Sequence, residues 1–167
     1  MTAIIDYDAG NIKSVEKALL YLGEEAVITR DRKVIREADH VILPGVGAFG
    51  SAMEKLRGYG LEEVIREVIG EEIPFLGICL GLQLLFESSE ESPGVKGLGI
   101  LPGRILRLPE EEGLKIPHIA WNSLKFPNRG RLFQGISEDA YVYFVHSYYL
   151  QAADEKIVTA SSEYGAL

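Results

Sequence analysis

One cysteine, Cys79, is all the thiol this sequence has, so no internal disulfide can staple the fold. Histidine is nearly as scarce. The three residues, His40, His118 and His146, are too scattered to form a metal-binding cluster with that cysteine, and neither metal nor cofactor is expected. No apolar run approaches the roughly 18 residues that a membrane-spanning helix needs. The opening segment, MTAIIDYDAGN, has no basic residues before its apolar stretch and therefore does not read as a secretory signal. The expectation is a cytoplasmic chain. Basic residues are in deficit, 17 against 25 acidic, for a net charge of −8. A chain that follows a phosphate backbone needs a basic stripe, so neither nucleic acid nor a membrane is expected as a partner. Internal repeats and low-complexity segments are also missing.

What remains is an ordinary globular composition, 47% apolar and 25% charged in 167 residues. Residues 1–167 read as a single domain. In the first half, strand-length apolar runs alternate with helical periodicity, which predicts βα units and a parallel sheet. Strands are expected at Ala3–Asp6, Ala26–Thr29, His40–Leu43 (ended by Pro44) and Pro74–Ile78, the last two buried. Helices are expected at Asn11–Leu22 with Gly23 as its stop, from Asp31 as N-cap through Ala38, at Leu61–Gly70, and at Leu80–Phe86. The second half changes character. Strand-like pieces at Gly103–Leu108, Ala120–Phe126, Ala140–Val145 and Ile157–Ser162, separated by Gly, Pro and Asn, predict antiparallel or mixed sheet.

The strongest local signal is Pro74-Phe75-Leu76-Gly77-Ile78-Cys79-Leu80-Gly81. A strand runs into the cysteine and a helix leaves it, with glycines two residues away on either side. This is the cysteine form of the nucleophile elbow. The sharp turn forces the nucleophile into a crowded backbone conformation, and side chains at Gly77 or Gly81 would clash. It also sets the sulfur at a helix N-terminus, where unpaired N–H groups favour a thiolate and where the Leu80 N–H can meet an oxyanion. A second segment, Pro44-Gly45-Val46-Gly47-Ala48-Phe49-Gly50, follows another strand and leaves its backbone bare. Such a loop can supply a further oxyanion donor, although by itself it also reads as a plain turn. It lacks the Lys and Ser/Thr of a phosphate-binding P-loop. Of the three histidines that could serve a cysteine as base, none is marked out by its neighbours.

Gly77–Gly99, GICLGLQLLFESSEESPGVKGLG, resembles the nucleophile region of class I, triad-type glutamine amidotransferases. PGVGAFG (Pro44–Gly50), PHIAWN (Pro117–Asn122), YFVHSY (Tyr143–Tyr148) and IDYDAGN (Ile5–Asn11) together resemble the glutaminase subunits of imidazole glycerol phosphate synthases across essentially the whole chain. The resemblance implies a three-layer, flavodoxin-like α/β fold with a mostly parallel central sheet. It implies glutamine hydrolysis through a Cys79 thioester, with the Leu80 and Val46 N–H groups as oxyanion hole. Gly47, Gln83, Glu91 and the backbone at Ser147 and Tyr148 match positions that hold glutamine. Taken alone, Gln83 and Glu91 would read as solvated polar residues, though a carboxylate suits a substrate α-ammonium. Ammonia would pass to a (β/α)₈-barrel cyclase subunit, which makes imidazole glycerol phosphate and an aminoimidazole carboxamide ribotide in histidine biosynthesis. Asn11, Trp121, Asn122, Tyr141 and Tyr143 match regions facing that partner or the gate between the sites.

The departure is at the C-terminus. The resemblance places a catalytic His and Glu in a His-Pro-Glu segment downstream of a Tyr-Gly that corresponds to Tyr164-Gly165, and no such segment occurs in these residues. The expectation is an incomplete or cleaved chain, truncated in its C-terminal part. Two other readings compete: an amidotransferase of another pathway, and a non-catalytic amidotransferase-like binding subunit.

Overall fold

The computed structural model describes residues 1–8 and 10–165; Ala9, within the Ile5–Asn11 segment, and the last two residues, Ala166 and Leu167, lie outside the described residues. The chain forms two compact units, Met1–Leu101 and Pro102–Leu167. No helix among the described residues is long and apolar enough to cross a membrane.

The first unit is a parallel α/β layer structure. Strands β1 (Thr2–Ile5), β2 (Ala26–Thr29), β3 (His40–Gly45) and β4 (Phe75–Cys79) lie in the order β2-β1-β3-β4, all parallel. That order is the one a flavodoxin-like doubly wound sheet takes. Helix α1 (Ile12–Tyr21) packs beside β1 and β2, while α2 (Arg32–Arg36) and α3 (Phe49–Gly58) both pack on α4 (Leu61–Gly70). Local chemistry sets several boundaries. The Asp31 carboxylate accepts from the Lys33 N–H at 2.8 Å and starts α2. Gly23, at φ 81°, turns the chain out of α1 while its N–H donates to the Leu20 carbonyl. Leu61, Val64, Ile65 and Val68 bury the apolar face of α4 as their spacing predicts. With Ile4, Ile5, Val41, Leu43, Phe49, Met53 and Leu56 they build the core of this unit.

Three expectations for this unit do not hold, and one helix is additional. Pro44 does not end β3, which continues through it to Gly45. Pairing with β1 stops at Ile42, so a residue without an N–H donor is tolerated beyond that point. β4 is not a buried strand. It is the edge of this sheet among the described residues, and Leu76 is exposed. The helix after Cys79, α5, is one turn only, Leu80–Gln83; Leu85 and Phe86 donate instead to carbonyls three residues back. Finally, α3 was not anticipated, although Phe49, Ala52, Met53 and Leu56 follow helical spacing and are all buried.

After the two-residue strand β5 (Ser88–Ser89), the second unit is antiparallel, as its Gly- and Pro-punctuated sequence predicts. β6 (Gly103–Arg107) pairs with β9 (Tyr148–Ala152), and β7 (His118–Ser123) pairs with β8 (Tyr141–His146). The expected strand at Ile157–Ser162 is absent. Asp154 caps a short 3₁₀ turn at Glu155–Ile157, and Ser161 makes an isolated bridge with Lys125. The real fourth strand is β9, whose Tyr-Tyr-Leu-Gln run directly follows β8.

Candidate functional site

Cys79 ends β4 and begins α5 at φ 54° and ψ −115°, a conformation that residues with a Cβ rarely take. The side chain is exposed at the carboxyl edge of the sheet, where open α/β sheets bind ligands. Three glycines make this turn possible. A Cβ on Gly77 would lie 2.7 Å from the Leu82 backbone, and one on Gly81 only 1.8 Å from the Leu43 carbonyl oxygen. A Cβ on Gly45 would lie 2.6 Å from the Gly81 nitrogen. Elbow and β3 are thus locked backbone to backbone, as the glycine spacing predicts for the first two positions.

The strand register then determines what lies beside the sulfur. Gly45 pairs with Cys79, so Val46 and Gly47 leave β3 next to the elbow. Gly47 is at φ 96° with open space around it, and Val46 is half exposed. A cavity of about 140 Å³, lined by Tyr7, Asp8, Val46, Gly47 and Lys55 among others, opens beside this loop. Leu80 is buried, and its N–H is the first of a helix, with no carbonyl one turn behind to accept it. The Val46–Gly47 backbone and the first N–H of α5 thus both belong to the neighbourhood of the turn that carries the exposed thiol. Gln83 closes α5. The Glu91 carboxylate accepts from the Phe49 N–H at 2.8 Å, and the Ser92 hydroxyl accepts from the Gly50 N–H at 2.9 Å. Glu91 thus also braces the start of α3, which neither the solvated nor the substrate reading includes.

Tyr7 was missed from the sequence. Fully buried just after β1, its hydroxyl donates to the Pro44 carbonyl at 2.7 Å. Burial first, and then the negative charge of Cys79, push this phenol far above its ordinary range, so it stays a donor and does not act as a base. Only hydrogen-bond geometry reveals it; one tyrosine in an apolar segment gives no sequence signal. His40, the only histidine of this unit, opens β3 at the end opposite Gly45. Five residues of strand place it roughly 16 Å from the elbow end, out of reach of the sulfur.

The other two histidines face each other in the second unit. His118 Nδ1 lies 3.0 Å from His146 Nε2, and His146 Nδ1 lies 2.9 Å from the Tyr148 carbonyl oxygen. In the neutral pair His146 must donate to that carbonyl, so its Nε2 accepts from His118. His118 is stacked between Phe144 and Tyr164, and burial, then His146, hold its pKa below the usual imidazole value. The Ser147 carbonyl accepts from the Leu108 N–H at 2.9 Å, and Tyr148 starts β9 opposite Arg107.

β7 and β8 turn one face outward. Ile119, Trp121, Tyr141, Tyr143 and Val145 are exposed there, with the Trp121 and Tyr143 rings 5.5 Å apart in an edge-to-face arrangement. Asn122 is on the opposite face, where its amide donates to the Glu163 carbonyl at 2.7 Å. Asn11, in the first unit, is exposed at φ 68° before α1.

Comparison with known proteins follows the same lines. Residues 3–166 match the family model "Glutamine amidotransferase class-I". A protein of Moorella thermoacetica named imidazole glycerol phosphate synthase subunit HisH is 53% identical over 98% of this chain and 77% of its own length. Proteins of the same name from Methanothermobacter thermautotrophicus and Aquifex aeolicus are 48% and 50% identical, over 80% and 79% of their lengths. A solved glutamine amidotransferase superposes over 95% of this chain with a TM-score of 0.72 at 21% identity, and another from Thermotoga maritima at 0.66 and 18%. At such identities the structures speak to the fold alone, which they share.

Proposed function

This chain belongs to the class-I glutamine amidotransferase family, as a glutaminase subunit of imidazole glycerol phosphate synthase in histidine biosynthesis, and we propose that Cys79 is the nucleophile of its reaction. The observation that carries this is the backbone of Cys79, held at positive φ in a turn that only glycines at Gly77 and Gly81 permit, with the cysteine exposed at its apex. The sulfur attacks the side-chain amide carbon of glutamine. Negative charge moves to the carbonyl oxygen, where the Leu80 and Val46 N–H groups stabilise it. Collapse of the adduct takes up a proton and expels ammonia, leaving a glutamyl thioester. Water then adds to the thioester, glutamate leaves, and the thiol is regenerated. Gly47, Gln83 and Glu91 hold the substrate in this reading, Glu91 through the α-ammonium.

The relatives are named as subunits, which implies a partner subunit. In our proposal that partner is a (β/α)₈-barrel cyclase, which receives the ammonia without its release to the cytoplasm. The exposed Trp121, Tyr141 and Tyr143 face supports a docking role, since aromatic residues are enriched in interface cores. Asn11 is exposed and available to the same partner; Asn122, turned to the opposite face, contributes through its hold on Glu163.

The test measures ammonia released from glutamine with and without the nucleotide-loaded cyclase. It uses these 167 residues, the same chain continued through a His-Pro-Glu segment, and Cys79→Ala as control. Partner-stimulated release that disappears in Cys79→Ala supports the proposal. No release from either length, together with a Cys79 that resists a glutamine-analogue electrophile, would leave a binding subunit as the better reading.

A further inference from the structure

β3 is braced on one side by β4 up to the Gly45–Cys79 pair, but on the other side its pairing with β1 ends at Ile42. Two residues further on, the Tyr7 hydroxyl takes over with its 2.7 Å bond to the Pro44 carbonyl. A Cβ on Gly45 would meet the same hydroxyl at 2.8 Å, so the phenol lies directly against the Pro44–Gly45 peptide. Gly10, three residues after Tyr7, approaches Val46 so closely that a Cβ there would sit 2.9 Å from the Val46 Cγ2. The segment after β1 therefore touches the oxyanion loop on both sides of the Gly45–Val46 peptide. That segment is itself anchored. Arg30 donates to the Asp6 and Asp8 carboxylates, both at 2.7 Å, and lies over the Tyr59 ring; Tyr59 donates to Asp8, and Lys55 donates to the Asp8 carbonyl.

We propose that Tyr7 is a positioning residue for the oxyanion donor. By fixing the Pro44 carbonyl it holds the chain just ahead of the Gly45–Val46 peptide, and so sets where the Val46 N–H is presented. This rests on the reading of Val46 as an oxyanion donor. Since the phenol keeps its proton across the working pH range, the restraint is permanent.

The experiment compares wild type with Tyr7→Phe in two alkylations of Cys79. Iodoacetamide reacts by direct displacement of iodide at its methylene and makes no demand on an oxyanion hole. A chloroketone analogue of glutamine presents a carbonyl to be polarised before chloride leaves. The expected result is an iodoacetamide rate unchanged within about twofold and a chloroketone kinact lower by about tenfold, a fraction of what deleting an oxyanion donor costs. The half-saturating chloroketone concentration should not move. Equal kinact in the two proteins, with unchanged far-UV circular dichroism, would overturn the proposal. A wild-type Cys79 that takes iodoacetamide but never the chloroketone would instead sink the oxyanion reading, and Tyr7 would have nothing to position.

Discussion

The strain at Cys79 can be measured by the choice between two replacements. Cys79→Ala and Cys79→Gly both remove the thiol, and both should abolish alkylation. The side chain is exposed, so neither variant gives up much buried surface. They differ in the Cβ. At φ 54° and ψ −115° a residue with a Cβ costs about 1–3 kcal/mol, and alanine keeps that cost. Glycine visits the conformation freely, but its greater freedom in the unfolded chain costs about 0.5–1 kcal/mol. The balance favours glycine by roughly 1 kcal/mol. In a chain of 167 residues that corresponds to a melting temperature about 2–4 °C higher for Cys79→Gly than for Cys79→Ala. Thermal unfolding followed by circular dichroism, with urea midpoints as an independent measure, reads the difference. The usual order elsewhere, with alanine the more stable, would refute the claim that the elbow is strained.

Two further outcomes are expected. Gly81→Ala, whose Cβ would sit 1.8 Å from a backbone oxygen, should lose about 3 kcal/mol or more in urea unfolding, while Gly70→Ala, in α4 with nothing within 4 Å, should gain about 0.5–1 kcal/mol. His118 has its pKa depressed in the fold, so its contribution is complete above the unfolded value of about 6.5 and is lost as the pH falls below it; the urea midpoint should drop between pH 7 and 5, and His118→Phe should flatten that slope, whereas an unchanged slope would remove the histidine pair as its source.

The sequence carried the first unit well because its elements are local and strongly periodic. α4 runs from Leu61 to Gly70, as its apolar spacing and terminal glycine indicate, and β2 spans Ala26–Thr29 with both ends as read. The elbow was legible because a strained turn demands particular glycines, and Gly77 and Gly81 do meet backbone within 3 Å. Two kinds of information were not local. α3 is hard to see in the sequence because its first turn falls inside the glycine-rich Pro44–Gly50 segment and Gly58 ends it, so poor helix formers frame the Phe49, Ala52, Met53 and Leu56 stripe. In the second unit, a β-branched and aromatic run can be strand or loop according to which partner it finds. Tyr148–Ala152 found β6, while Ile157–Ser162 found only one bridge to Lys125. The role of Tyr7 depends on a hydrogen bond to a residue 37 positions away, which no periodicity encodes. Asn122 and Trp121 are neighbours in sequence but point to opposite faces, so segment resemblance alone could not separate their roles.

The atoms that would collide with a side chain at Gly77 or Gly81 belong to the main chain, at Leu82 and Leu43, and for Gly45 they include the Gly81 nitrogen. Trimming a neighbouring side chain therefore creates no room. A crowded core residue can be rescued by a smaller neighbour, and lineages drift through such compensations; this turn offers no compensating partner to mutate. It can be kept or abandoned, but stepwise remodelling is closed to it, so a chain that loses the thiol can still carry the elbow's glycines as long as it keeps the fold.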